Sequence, residues 1–158
     1  MKPRPARGGA PTVEVLVESP LWKQQPDASA AIRKAIRAAA DEISSPSGDV
    51  AVVLADDAAL RRLNKQWRGI DKPTNVLSFP AAAGAKTLLG DIVIAYETLA
   101  RECRDEEKEF THHLSHLAVH GFLHLMGYDH QSDSEADAME ELERDVLARL
   151  RVPDPYRA

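Results

Sequence analysis

The most restrictive stretch of the chain is His120-Gly121-Phe122-Leu123-His124-Leu125-Met126-Gly127-Tyr128-Asp129-His130. All six histidines lie between His112 and His130. Helical residues four apart stand one above the other on one face, so His120 and His124 aim both imidazoles at one point. Gly127 can take a positive φ and leave the helix sharply, and the turn that follows can return His130 over it. Three neutral imidazoles with a fourth position open make a catalytic zinc arrangement, not a closed structural one. The stretch therefore predicts a helix, a glycine stop, a tight return, and one Zn2+ per chain held by His120, His124 and His130. His112, His116, His120 and His124 continue the i,i+4 series, so spacing alone leaves His116 open as a ligand. A third ligand one helical turn further along fits tetrahedral geometry less well than one returning from a turn. His112, His113 and His116 are read as structural or as supports of the ligands. Nickel and copper also suit three imidazoles.

The spacing matches H-E-x-x-H-x-x-G-x-x-H, the metal helix of the metzincin proteases, except that Gly121 replaces the glutamate that acts there as general base. Glycine cannot take a proton. The chain thus carries a zincin-like metal helix without the peptidase base, and a zinc peptidase becomes the weaker reading.

Composition narrows the setting. A single cysteine, Cys103, rules out an internal disulfide framework and a cysteine-based zinc finger. At 44% hydrophobic and 28% charged, the 158 residues have globular composition. No run approaches the ~20 apolar residues of a membrane span. The basic start, Met1 to Pro11, is broken by Pro and Gly and leads into no apolar segment, so it is read as a flexible lead-in and not a signal peptide. The cytoplasm is the default compartment. A formal net charge of −5 argues at first against nucleic acid. Yet residues 1–91 hold 13 Lys+Arg against 10 Asp+Glu, and residues 92–158 hold 7 against 15. Screening confines each charge to about 8–10 Å, so an acidic chain can still present a basic surface. Much of the acid, including Asp133, Glu135, Asp137, Glu140, Glu141, Glu143 and Asp145, lies on or beside the last helix.

Periodicity gives the elements. Thr12–Val17 alternates as a strand. Asp27 or Ser29 caps a helix carrying Ile32, Ile36, Ala39 and Ile43. Val50–Ala55 reads as a buried strand, and Asp56 or Asp57 caps a helix that Gly69 ends. Val76–Phe79 and Leu88–Ala95 read as strands that pair across a loose loop, 81–86. A helix begins at Tyr96 and breaks near Arg104–Glu107. A second runs to about Met126, and Ser132 or Ser134 caps a third. The fold class is α+β: a single domain, with a mixed sheet of about four strands packed with about five helices. Residues 1–11 form the lead-in, 12–152 the metal-dependent domain and 153–158 a C-terminal tail.

A basic stripe, Arg61, Lys65, Arg68 and Lys72, is spaced to line one side of the second helix and its exit, with Arg62 and Trp67 beside it. A positive groove with an aromatic is one way to hold a single-stranded backbone. The plainer reading is a solvated helix face with Trp67 in the core.

Together, the histidine segment, Asn64-Lys-Gln-Trp-Arg68, Asp71-Lys-Pro-Thr-Asn-Val-Leu-Ser-Phe-Pro80 and Gly90-Asp91-Ile92 resemble the YbeY family of bacterial rRNA maturation factors, over roughly residues 12–150. The resemblance implies a single-strand-specific, metal-dependent endoribonuclease. Its work would be maturation of the 3′ end of small-subunit rRNA and ribosome quality control, with single-stranded RNA and the small ribosomal subunit as partners and no membrane. It places the metal on His120, His124 and His130, the functionally important arginine at Arg68, and the basic groove on Arg61, Lys65, Arg68 and Lys72. Zinc held by three histidines lowers the pKa of water towards ~7. Arg68 would bind the scissile phosphate, and Asp129 or a substrate 2′-hydroxyl could serve as base. Asp129 could instead orient a ligand histidine. A non-catalytic assembly factor whose metal only stabilises the fold would keep the same residues.

Overall fold

The structure, a computed structural model, describes residues 10–82, 84 and 87–157. Nearly all of the lead-in expected at 1–11, and half of the loop expected at 81–86, fall outside the described residues.

Four strands form one mixed sheet. β1 (Thr12–Val17) and β2 (Asp49–Ala55) pair in parallel, and β2 pairs in parallel with β4 (Leu88–Ala95). β3 (Val76–Pro80) runs antiparallel to β4, Ser78 facing Ile92, so the order is β1-β2-β4-β3 and β3 is an edge strand. Five α-helices accompany the sheet: α1 (Ala28–Ile43), α2 (Asp57–Arg68), α3 (Tyr96–Glu106), α4 (Phe110–Leu125) and α5 (Asp133–Arg149). A short 3-10 turn, Pro20–Gln24, was not foreseen. It buries Trp22, whose indole N–H donates to the Ala55 carbonyl at 2.9 Å and whose ring meets Tyr96 and Phe110 edge-on.

The period-2 alternation of the strands divides the molecule into two unequal cores. Val50, Val52, Leu54, Ile92 and Ile94 point to one face and share a core with α1 and α4, on which α5 packs in turn. Val93, Ala95 and Leu77 point to the other, where they meet Leu60 and Leu63 of α2. Helix α4 is buried on most sides, and its sequence is apolar apart from the face that carries the histidine series. It can lie this close to the sheet because residue 121 is glycine. A Cβ there would stand 3.0 Å from Ile92 Cγ2 and 3.1 Å from Ser78 Oγ. The Ser78 hydroxyl uses that closeness to donate to the Gly121 carbonyl at 2.9 Å.

The end of α4 follows from local chemistry. Gly127 takes φ 96°, the Gly127 N–H donates to the His124 carbonyl and the Tyr128 N–H to the Leu123 carbonyl. That is the Schellman pattern of a glycine-terminated helix. Four residues later Ser132 caps α5 with a reciprocal capping box to Glu135. The return between the two helices is thus pinned at both ends.

A candidate metal centre in a cleft beside the edge strand

The pinned return brings His130 back over α4, as the spacing predicts. One ring nitrogen from each of His120, His124 and His130 falls within a sphere in which all lie within 4.8 Å of one another. Ring centroids are 4.5 Å apart for His120 and His124, 5.1 Å for His124 and His130, and 5.8 Å for His120 and His130. His120 and His124 are half-buried and His130 is exposed.

The outer nitrogens fix which ones point inward. His120 Nδ1 lies 2.6 Å from Glu143 Oε2, and His124 Nδ1 lies 2.9 Å from the Tyr128 carbonyl. Each acceptor calls for an N–H at Nδ1, so in the neutral ring the lone pair sits on Nε2. The two Nε2 atoms face each other at 3.1 Å. Two lone pairs at that distance repel, and a cation between them turns repulsion into ligation. Burial, and then the neighbouring His120 and His130, hold the His124 pKa below its ordinary value and favour the neutral ring a metal needs. The donor set therefore fits a metal ion.

His116, which spacing left open as a ligand, stands elsewhere. Its Nε2 is 2.8 Å from Glu143 Oε1. Glu143 on α5 is fully buried and receives His116, His120 and the Tyr156 hydroxyl together. His116, His120 and Glu143 form a second possible metal-holding group, but their facing atoms are already hydrogen-bonded to one another, so we assign them to orienting His120. Burial alone would raise the Glu143 pKa. Hydrogen bonds from His116, His120 and Tyr156 outweigh it and hold it down to about 2. Glu143→Ala is expected to lower the unfolding free energy by about 3–5 kcal/mol in urea titration and to weaken metal binding about 10- to 100-fold. The pH dependence has a definite sign. A depressed carboxylate pKa contributes stability above the ordinary 4.5, lost as pH falls towards 2. The parent should lose stability across that window, and Glu143→Gln should lack this component.

Glu143 lies on the last helix, as the sequence reading has it, but its burial and its bond to His120 are not part of that reading. The signal was available: it shares a helical face with Met139, Val146 and Leu147, all buried. Tyr156, inside the expected tail, had no such signal. His113 Nε2 is 2.8 Å from Glu102 Oε1, and the Asn75 amide donates to the same carboxylate at 3.0 Å. His112 lies 3.7 Å from Glu109 at the surface. Asp129 does not orient a ligand ring: its Oδ1 accepts the backbone N–H of His130 at 2.8 Å.

The triad opens into a cleft of about 710 Å³ that runs along β3 and also receives Arg68, Asn75, Ser78, Lys108 and Tyr156. Arg68 reaches it from the last turn of α2, while Arg61, Lys65 and Lys72 do not line it. Arg61 is held by Asp71 at 2.7 and 3.3 Å. Among the described residues, Lys65, Arg68 and Lys72 have no acidic partner within 4.0 Å. Trp67 is not in the core; it is exposed.

Fold and site together define an α+β domain with an open three-histidine centre facing a cleft that also holds an arginine. Comparison with known proteins gives the family. The model of the family Endoribonuclease YbeY matches residues 18–151. The endoribonuclease YbeY of Bradyrhizobium sp. (strain BTAi1) is 57% identical over 156 residues, covering 92% of each chain. That of Nitrobacter winogradskyi is 54% identical over 160 residues, covering 95% of this chain and 84% of the relative. The solution structure of a Thermotoga maritima protein superposes with a TM-score of 0.55 at 25% identity, over 93% of this chain and all of that one. The chain belongs to the endoribonuclease YbeY family.

Proposed function

We propose that this protein is a single-strand-specific, metal-dependent endoribonuclease that acts on the 3′ end of small-subunit rRNA and in ribosome quality control. Its substrate is single-stranded RNA, its larger partner the small ribosomal subunit, and its place of work the cytoplasm. Among the described residues no helix is long and apolar enough to cross a membrane. The observation that carries this reading is the meeting of Arg68 with His120, His124 and His130 in one cleft, from α2 and from α4 with its return, far apart in sequence.

In this reading His120, His124 and His130 hold a zinc ion, which when bound supplies Lewis-acid chemistry, polarising a phosphoryl oxygen and acidifying water at neutral pH. Glu143 and the Tyr128 carbonyl keep the rings of His120 and His124 turned inward. The Arg68 guanidinium, always charged and forked, binds the scissile phosphate and offsets the charge that grows on it. Gly121 removes the carboxylate that a peptidase would place over the metal. Arg68→Glu is expected to retain one metal and the parent's unfolding midpoint while cleavage of a defined single-stranded RNA falls at least about a hundredfold. Cleavage is followed with and without chelator, and unchanged cleavage would take Arg68 out of the reaction. Activity that persists equally with chelator and in a His124→Ala control would favour a non-catalytic assembly factor.

A further inference from the structure

We propose that Trp67, backed by Phe79, is a stacking platform for an unpaired base of the RNA whose phosphate Arg68 holds, and that it sets the preference for single strands. The proposal rests on RNA being the substrate, as read above.

Trp67 is 63% exposed, the most open large hydrophobic side chain among the described residues. Burying such a ring would contribute roughly 1.5–3 kcal/mol, so its exposure is not explained by the fold. The ring is nonetheless held in place. Phe79 meets it at 6.1 Å between centroids with the planes at 62°, an edge contact that braces one side of the indole. Ile70, 39% exposed, follows three residues on. The other exposed large hydrophobics lack this bracing by a neighbouring ring, Tyr156 excepted, and Tyr156 is already tied to Glu143.

The topology connects this ring to the cleft. On β3, Ser78 turns towards α4, where it bonds Gly121, while Phe79 turns to the opposite face and joins the α2 core. Trp67 therefore belongs to the α2 side of the sheet and the histidines to the α4 side. β3 is the edge strand, so no further strand blocks the way round. Arg68, the next residue after Trp67, is the one that enters the cleft. A chain leaving the cleft past Arg68 can bend over the edge strand and meet the indole.

The cations on the same helix and its exit match a nucleic-acid backbone. Lys65, Arg68 and Lys72 are without acidic partners within 4.0 Å among the described residues, whereas Arg61 is neutralised by Asp71. Phosphates on these cations and a base on the indole are the two halves of single-strand binding. A paired base inside a duplex has both faces covered and cannot stack on a side chain. The platform thus rewards only unpaired RNA.

The test uses the metal-loaded full chain, a single-stranded oligoribonucleotide and a duplex of the same sequence. Trp22 is buried and hydrogen-bonded, so quenching of tryptophan fluorescence on titration with the single strand reports Trp67. Trp67→Ala should weaken single-strand binding about tenfold or more, and duplex binding less than about twofold, given ~1–3 kcal/mol per stacked base. KM should rise with kcat largely kept, and the salt dependence of binding should not change, because no phosphate contact is lost. Trp67→Phe should restore most of the affinity while abolishing the quench. Equal single-strand affinity and an unchanged single-strand to duplex ratio in Trp67→Ala would overturn the platform and leave the RNA reading standing. Failure of the parent to bind or cleave single-stranded RNA would overturn the RNA reading itself. Normal RNA binding with loss of ribosomal-subunit association would assign the ring to a protein partner and overturn the proposal.

Discussion

His124→Ala is expected to purify folded, to carry no stoichiometric metal by elemental analysis, and to cleave RNA at least about a thousandfold more slowly than the parent, a loss of about 4 kcal/mol in barrier terms. His124 stands between the other two rings, with centroids 4.5 and 5.1 Å away. Its Nδ1 is held by the Tyr128 carbonyl, which leaves its Nε2 to face that of His120 at 3.1 Å. Two remaining imidazoles, one of them exposed, make a weak site. His116→Ala is the matched control. Its Nε2 bonds Glu143, and its ring meets His120 edge-on at 6.3 Å between centroids without offering a nitrogen to the triad, so it should keep one metal with affinity lowered about 10- to 100-fold. If His116→Ala lost the metal and His124→Ala kept it, the ligand set would be His116, His120 and Glu143.

Gly121→Glu is expected to destabilise the domain by about 3–5 kcal/mol and to create no peptidase. The substitution restores the metzincin motif on paper. In the fold, residue 121 faces the sheet, and even a Cβ would meet Ile92 at 3.0 Å and Ser78 at 3.1 Å. Overpacking of this kind costs about 1–3 kcal/mol, and a carboxylate forced beneath α4 adds the cost of a buried, unpaired charge. Gly121→Ala separates the two: the crowding remains, but helix propensity returns up to about 1 kcal/mol. Urea midpoints of the three proteins measure both parts. A Gly121→Glu protein as stable as the parent would mean that this position can open towards the cleft, where a carboxylate could serve a peptidase.

What the sequence makes legible is what neighbours along the chain decide. The strand alternation, Gly127 as a stop and Ser132 as a cap depend on residues a few positions apart, and the pairing of β3 with β4 joins neighbouring strands across one loop. The triad belongs to this group, because a helix repeat and one turn are enough to converge it. The supports of the site do not. Glu143 reaches His120 across 23 residues and Tyr156 reaches His116 across 40. Partner choice over such spans depends on how α5 packs on α4, which no local pattern encodes. The basic stripe shows the same limit at shorter range. Its 4-3-4 spacing places four cations along one side, but the turn after Gly69 folds back, with the Asn64 amide on the Lys72 carbonyl. That return puts Asp71 against Arg61 and removes one cation from the surface. The burial of Trp22 is not legible because a five-residue 3-10 turn is shorter than a periodicity can register.

The return between α4 and α5 carries the exposed member of the triad on a span anchored at its ends by backbone caps. With a metal bound, the chain from His124 to His130 becomes a small closed ring, fastened at its middle as well as its ends. Opening of this segment then requires release of the ion, and by mass action an ion at a hundred times its dissociation constant adds about 2.7 kcal/mol to that opening. The return is therefore an occupancy gauge built into the backbone: amide exchange at Asp129 to Gln131 should slow in proportion to free metal while the sheet exchanges unchanged.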